Sequence, residues 1–239
     1  MRLDSGELES SLDRAAELEA ALLADPDAAA RALARIREQQ PKLYTRIAPS
    51  YLDTQTGLYA KYYFEQELLP KALAEADRTC GQLSYAIIDI DDLKAINDSA
   101  GHSAGDRIIL SFVDFLEQNF RAEGSKRLQD YIGKLSEELP PASRDYIKDK
   151  GHSIGRVGTG DEFGLILQNC DLHSALTALE RLRRKIASTT FSGYKISVSI
   201  GVAEHQRGCD AKSLIERADA ALIEAKKAGK AQVRASLKF

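Results

Sequence analysis

The feature that most constrains this chain is the run Tyr85-Ala86-Ile87-Ile88-Asp89-Ile90-Asp91-Asp92, an apolar segment that ends in a cluster of carboxylates. A short, continuous apolar run suits a strand buried on both faces, at the centre of a sheet. Period two then sends Asp89 and Asp91 to one face and Asp92 to the other. Carboxylates at the end of a buried strand are costly unless hydrated or paired with a cation. The end of this strand is therefore a candidate site.

The elements around it can be read from periodicity. After Gly105-Asp106, the residues Ile108, Ile109, Phe112, Phe115 and Leu116 fall on one helical face. A strand at about 153–157, a glycine-containing turn and a second strand through Phe163-Gly164-Leu165-Ile166-Leu167 predict a hairpin. Leu172, Ala175, Leu176, Leu179, Leu182 and Ile186 mark another helix, Tyr194 to Val202 alternate as a strand, and Leu214 to Ala225 form a helix before a short strand at Val233. The order β-α-β-β-α-β predicts an α+β, ferredoxin-like fold, one antiparallel sheet backed by helices. A polar excursion at about 120–153, with Leu128, Tyr131, Ile132, Leu135 and Leu139 at helical spacing before Pro140-Pro141, reads as a helical insert. Residues 1–50 lack strand signals and predict two helices broken at Asp25-Pro26-Asp27, either a hairpin packed on the domain or a stalk that pairs with a second chain.

Bulk properties narrow the function classes. With 239 residues, 44% of them hydrophobic, the chain can bury one full-sized core and a small appendage, so 51–239 is expected to form one domain. A formal charge of -3 gives no basic field of the kind that draws a protein onto nucleic acid or anionic membrane. No apolar run reaches membrane-spanning length, and polar residues stand where a signal peptide needs an apolar stretch; the expectation is a soluble, cytoplasmic protein or the soluble piece of one. Cys80, Cys170 and Cys209 form no C-x-x-C pair and predict free thiols.

A second acidic pair, Asp161-Glu162, occupies the hairpin turn, which a ferredoxin-like sheet can place beside the end of the Asp89 strand. Two acidic clusters on adjacent strands make an oxygen-rich site of the kind magnesium uses, with one or two carboxylates and substrate phosphates completing its shell. The glycine turn lets phosphate oxygens approach backbone N–H groups. Lys94, and Lys226, Lys227 and Lys230 around Gly229, are the cations available to a triphosphate; a lysine-rich helix end also serves its own dipole. His102 has no second histidine or cysteine at ligand spacing, which makes it a loop or pocket residue rather than a zinc ligand.

Over roughly 53–235 these residues resemble the GGDEF family of diguanylate cyclases. Asp53-Thr54-Gln55-Thr56-Gly57-Leu58 with Phe64 resembles that family's D-x-L-T-G-L, and Asp89-Ile90-Asp91-Asp92-Leu93-Lys94-Ala95-Ile96-Asn97-Asp98 its D-I-D-x-F-K-x-I-N-D. Gly101-His102-Ser103-Ala104-Gly105-Asp106 matches G-H-x-x-G-D, Thr159-Gly160-Asp161-Glu162-Phe163 stands at the signature, and Ser197 to Ala203, Ala218 to Leu222 and Ala225 to Lys230 match the closing blocks. The resemblance implies a nucleotidyl-cyclase palm that condenses two GTP into cyclic di-GMP with Mg2+ or Mn2+. It implies that Asp89, the Ile90 carbonyl and Asp161 hold the metal, and that Asn97 and Asp106 read guanine with His102 nearby. Lys94 would stabilise phosphate charge, Gly160 would lie against the nucleotide, Lys226 and Lys230 would hold the β- and γ-phosphates, and Asp161 with Glu162 would prepare the 3′-hydroxyl. One GTP per half-site implies a homodimer.

The signature turn reads Gly158-Thr159-Gly160 where the family has adjacent glycines, with Arg156 one place further upstream. Leu93 replaces an aromatic, Ala60 and Lys61 replace Asn-Arg, Ile223 replaces a tyrosine, and Lys150 and Ser153 fall near the positions of a missing R-x-x-D motif. A catalytically silent GGDEF module that binds a nucleotide or a protein is the alternative function. A phosphoryl-accepting receiver domain would use Asp89 and Asp91, but not Asp161-Glu162 on a hairpin.

Overall fold

The computed structural model describes residues 51–123, 154–158 and 160–236, with backbone alone for 120–123. The expected helices in 1–50, most of the expected insert, Lys150, Ser153 and Thr159 lie outside the described residues. In chain order the elements are β1 (Tyr59–Ala60), α1 (Lys61–Tyr63), a π-helical segment (Phe64–Leu68), α2 (Leu69–Thr79), β2 (Leu83–Ile90), α3 (Leu93–Ala100) and α4 (His102–Glu123). They continue as β3 (Ile154–Arg156), β4 (Glu162–Gln168), α5 (Leu172–Ser188), β5 (Val198–Glu204), α6 (Ala211–Lys227) and β6 (Val233–Ala235).

The sheet order is β1-β3-β4-β2-β5-β6. Its four central strands pair antiparallel, as the periodicity predicts. Two short edge strands pair parallel, β1 with β3 and β6 with β5, so the whole sheet is mixed. All of β2 is buried, which is why its sequence is apolar without alternation. Asp89 sits opposite Glu162 on β4 and Ser199 on β5.

Helices cover both faces. On one, Ile108, Phe112 and Leu116 of α4 and Ala175, Leu179 and Ile186 of α5 pack on Ile88, Phe163 and Val198. Phe112 stands 5.2 Å from the Phe163 ring and 5.7 Å from that of Phe191. Aromatic pairs at such spacing add about 0.5–1.5 kcal/mol beyond their burial. On the other face, Leu69 and Leu73 of α2 and Leu214, Ala218 and Leu222 of α6 pack on Tyr85, Ile87 and Ile166. Asp171 and Asp210 cap α5 and α6, accepting from Ser174 N–H at 2.7 Å and Ser213 N–H at 2.9 Å, each contributing about 1 kcal/mol.

The elements differ from their expected bounds for identifiable reasons. The helix expected after Gly105 starts at His102 and holds Gly105 inside its first turns, because a side chain at 105 would collide with Asn97 of α3. That helix also runs through 120–123, so the expected insert begins later than its predicted start. α3 itself was hidden by its polar sequence; Gly101, at φ 85°, is the single residue separating it from α4. The strand expected from Tyr194 begins at Val198: Ser192 and Gly193 at positive φ turn the chain, and Phe191 bridges Tyr194. Ile196 and Val198 are nonetheless both buried, so the burial alternates although the ladder is absent before Val198.

Candidate active site

The site lies where β2, the β3–β4 turn and the end of α6 meet. Asp89, on the face covered by α6, is 6% exposed, and Lys226 Nζ donates to its Oδ2 at 2.7 Å. Burial pushes the Asp89 carboxyl up to about 6; Lys226 opposes this, and the neighbouring charges of Asp161 and Glu162 add to it. For Lys226, burial works against the charge, but the hydrogen bond and field of Asp89 prevail and its pKa is raised. The Ile90 N–H donates to the Asp161 carbonyl at 3.2 Å, tying the signature turn to the end of β2. Two acidic clusters far apart in sequence thus share one strand end.

Asp91 has a different surrounding. It accepts from Ser197 Oγ and Ser199 Oγ, both at 2.6 Å, and from the Ala231 N–H at 3.1 Å. It therefore anchors the loop after α6 to the sheet. Asp92, in the left-handed region at φ 58°, accepts from Lys230 Nζ at 2.6 Å. That bond raises the Lys230 pKa.

The remaining expected residues spread over the adjoining surface. Lys94 is exposed on the first turn of α3, and His102 is exposed at the start of α4. Asn97 Oδ1 is buried, against Gly105, with no hydrogen-bond partner among the described residues, and Asp106 is exposed one residue beyond. Glu162 is half-buried and fills the space over Gly158, and its carbonyl accepts from the Val157 N–H at 3.0 Å and the Gly158 N–H at 3.4 Å. A Cβ at Gly160 would meet nothing within 4 Å among the described residues, so they leave that side of the turn open.

Arg156 and Gln55 carry no sequence signal of a site role beyond the turn and the motif that contain them. Arg156 donates to Asp53 Oδ1 at 3.0 Å, to Gln55 Oε1 at 2.6 Å and to the Gly160 carbonyl at 2.7 Å. Burial disfavours the Asp53 charge, but Thr56 and Arg156 overcome it and its pKa is lowered. Gln55 Nε2 in turn donates to Asp106 Oδ1 at 2.7 Å. A long-range arginine contact of this kind has no local sequence signal. Glu65, 8% exposed in the π-helical segment, also went unread; burial raises its pKa, Lys61 opposes, and Glu162 adds.

Among the described residues no three His, Cys, Asp or Glu side chains converge as a ready metal cage. Two carboxylates and a backbone carbonyl, with room for phosphates, are the donor set magnesium uses instead. Burial is the main cause of the raised pKa of Asp89, with the charges of Asp161 and Glu162 adding to it, and a carboxylate buried beside two others is one that a cation would stabilise.

The profile described as the diguanylate cyclase GGDEF domain matches residues 50–138 and 144–232. The chain belongs to the GGDEF domain family. Diguanylate cyclase DgcS of Shewanella oneidensis is 30% identical to this GGDEF domain over 182 residues, 74% of this chain and 50% of that protein. Diguanylate cyclase VdcA of Vibrio cholerae is 31% identical over 214 residues, 87% and 52% of the two chains. The chain thus spans about half the length of these curated relatives. The GGDEF domain of DgcB from Caulobacter crescentus, solved in complex with c-di-GMP, superposes with a TM-score of 0.59 at 28% identity, covering 79% of this chain and 94% of that one. The mixed sheet backed by helices is the fold of that family. No helix among the described residues is long and apolar enough to cross a membrane. Cys80, Cys170 and Cys209 are free.

Proposed function

We propose that this GGDEF domain is a diguanylate cyclase catalytic unit, comprising 51–239, that joins two GTP into cyclic di-GMP and releases two pyrophosphates. The observation that carries the proposal is the convergence of Asp89, Asp161 and Glu162 with Lys226 at one strand end. In each of two equivalent steps, the 3′-oxygen of one GTP bonds to the α-phosphorus of the other, the bond to pyrophosphate breaks, and the hydroxyl proton leaves to a carboxylate. Asp161 and Glu162 take that part. Lys226 and Lys230 exchange their aspartate partners for β- and γ-phosphate oxygens, and Lys94 offsets charge on the reacting phosphate. Asn97 and Asp106 read the guanine edge, His102 borders the nucleotide, and Gly160 leaves space for the phosphates. Asp89, Asp161 and the Ile90 carbonyl would hold Mg2+ or Mn2+, which when bound neutralises phosphate charge as a Lewis acid. Such transfers need positioning and charge neutralisation more than covalent help.

Each domain holds one GTP, so two must face one another, and the working form is a homodimer in the cytoplasm, where GTP is supplied. The silent-module reading rests on the altered Gly158-Thr159-Gly160 turn and the insert, whereas the presence of every carboxylate and lysine of the set favours activity. Incubation with GTP and Mg2+ is expected to give cyclic di-GMP by mass. ATP alone is expected to give no cyclic dinucleotide, because a site built to hydrogen-bond its substrate discriminates by about 10⁴ against analogues lacking the matching groups. Comparable turnover of ATP would remove the roles of Asn97 and Asp106.

The raised pKa of Asp89 sets a pH dependence. Its folded value, about 6, lies above the ordinary 3.8. Without metal, its contribution to stability is therefore fully present below 3.8 and is lost as pH rises through about 6. Cation binding has the opposite sense, since it requires the carboxylate. Magnesium at about ten times its Kd is expected to raise the melting temperature by about 3 °C at pH 7.5. At pH 5 the rise is expected to fall below about 1 °C. Equal shifts at both pH values would remove Asp89 from the metal site.

A further inference from the structure

Gln55 occupies the place where the motif D-x-L-T-G-L has leucine, and it makes two hydrogen bonds that a leucine cannot. Its Oε1 accepts from Arg156 Nη1 at 2.6 Å and its Nε2 donates to Asp106 Oδ1 at 2.7 Å. With a donor on one side and a carboxylate on the other, only one orientation of the amide satisfies both. Arg156 is itself held: its side chain is 10% exposed, paired with Asp53 and bonded to the Gly160 carbonyl. The guanidinium polarises the amide and strengthens its N–H as a donor. A continuous chain of contacts therefore runs from Gly160 of the signature turn to the α4 carboxylate, across three segments distant in sequence.

We propose that Gln55 is a specificity-determining positioning residue, which fixes the Asp106 carboxylate in the orientation that accepts adjacent donors on the base edge. The proposal rests on the reading of Asp106 as a guanine-recognition group. Guanine offers two neighbouring donors, N1–H and the 2-amino group, where adenine has an acceptor at N1. An exposed aspartate on a helix samples several rotamers, and discrimination between these edges requires one of them. Gln55 takes one lone pair of Oδ1 and leaves the rest of the carboxylate for the base. The buried Oδ1 of Asn97 lies against Gly105, beside the same helix turn.

The test is equilibrium binding to the full chain, with Mg2+, of the α,β-methylene analogues of GTP and ATP, which cannot be turned over. Wild type, Gln55→Leu, Gln55→Met, Asp106→Ala and Gln55→Leu/Asp106→Ala are compared, with melting temperatures confirming the fold of each. Both Gln55 variants, altered at an exposed site, are expected to melt like wild type and to narrow the preference for guanine over adenine by about 5-fold to 10-fold. In the Asp106→Ala background, Gln55→Leu is expected to change that preference no further. A wild-type preference in Gln55→Leu and Gln55→Met, with the preference lost in Asp106→Ala, overturns the role of Gln55 alone. A preference retained in Asp106→Ala overturns the guanine-reading role of Asp106 and the Gln55 proposal with it. Equal narrowing by Gln55→Leu in both backgrounds means that Gln55 acts elsewhere than through Asp106.

Discussion

Asp161→Asn and Glu162→Gln are each expected to lower cyclic di-GMP synthesis by roughly 10²-fold or more, because each removes stabilisation that exists mainly in the transition state. The amides keep side-chain volume, which matters at Glu162: it is half-buried and fills the space over Gly158, so truncation to alanine would also disturb the turn. Melting temperatures of both variants are expected to stay close to wild type. Affinity for GTP is expected to fall less than turnover, since Lys226, Lys230, Asn97 and Asp106 are untouched. Product formation followed by mass, with GTP affinity measured separately, checks both parts. Near-normal rates in both variants would place the chemistry outside this turn.

Gly201→Ala is expected to be the most destabilising small substitution on β5. A Cβ at that position would run into the Ala218 carbonyl and the Leu222 N–H, and would stand 2.8 Å from the Leu222 Cα. These are backbone atoms of α6, so no side-chain rotation relieves the clash; helix and strand must separate. Overpacking of a core costs about 1–3 kcal/mol, and this case belongs at or above the upper end. A loss of about 3 kcal/mol corresponds to a fall of roughly 6–12 °C in melting temperature. Gly160→Ala, where the added methyl meets open space, is the control and is expected to melt like wild type. Equal melting temperatures of Gly201→Ala and Gly160→Ala would contradict the close packing of α6 on β5.

How much of this was legible depended on whether the signal was local. β2 could be read from its apolar run, and α4, α5 and α6 from their apolar spacing, because burial on a sheet leaves a periodic trace. α3 could not, since of its residues only Leu93 is buried and Asn97, Asp98 and Ser99 look like a loop. β1 is two residues long and exists only through its pairing with β3. At the site, Asp89, Asp161, Glu162 and the two lysines were legible as motifs. The partners that hold them were not: the bond from Arg156 to Gln55 spans 101 residues, and that from Lys230 to Asp92 spans 138. Asp91 shows the converse. Its type and place in the acidic run suggested chemistry, whereas its three donors make it a brace between β5 and the loop after α6.

The Lys226–Asp89 and Lys230–Asp92 pairs bear on how fast a nucleotide can find this surface. A triphosphate approaching from solution meets lysines whose charge is already answered by carboxylates, in a chain whose overall charge is -3. With both ammonium groups paired and a net charge of -3, encounter is expected in the unsteered regime, on the order of 10⁵–10⁶ M⁻¹s⁻¹ where steered pairs reach about 10⁸–10⁹. Added salt then changes the association rate little. On the proposed reading of the site, capture would depend on a local exchange of partners, in which phosphate oxygens replace aspartates on the two ammonium groups, and selectivity would be exerted after contact rather than on the way to it.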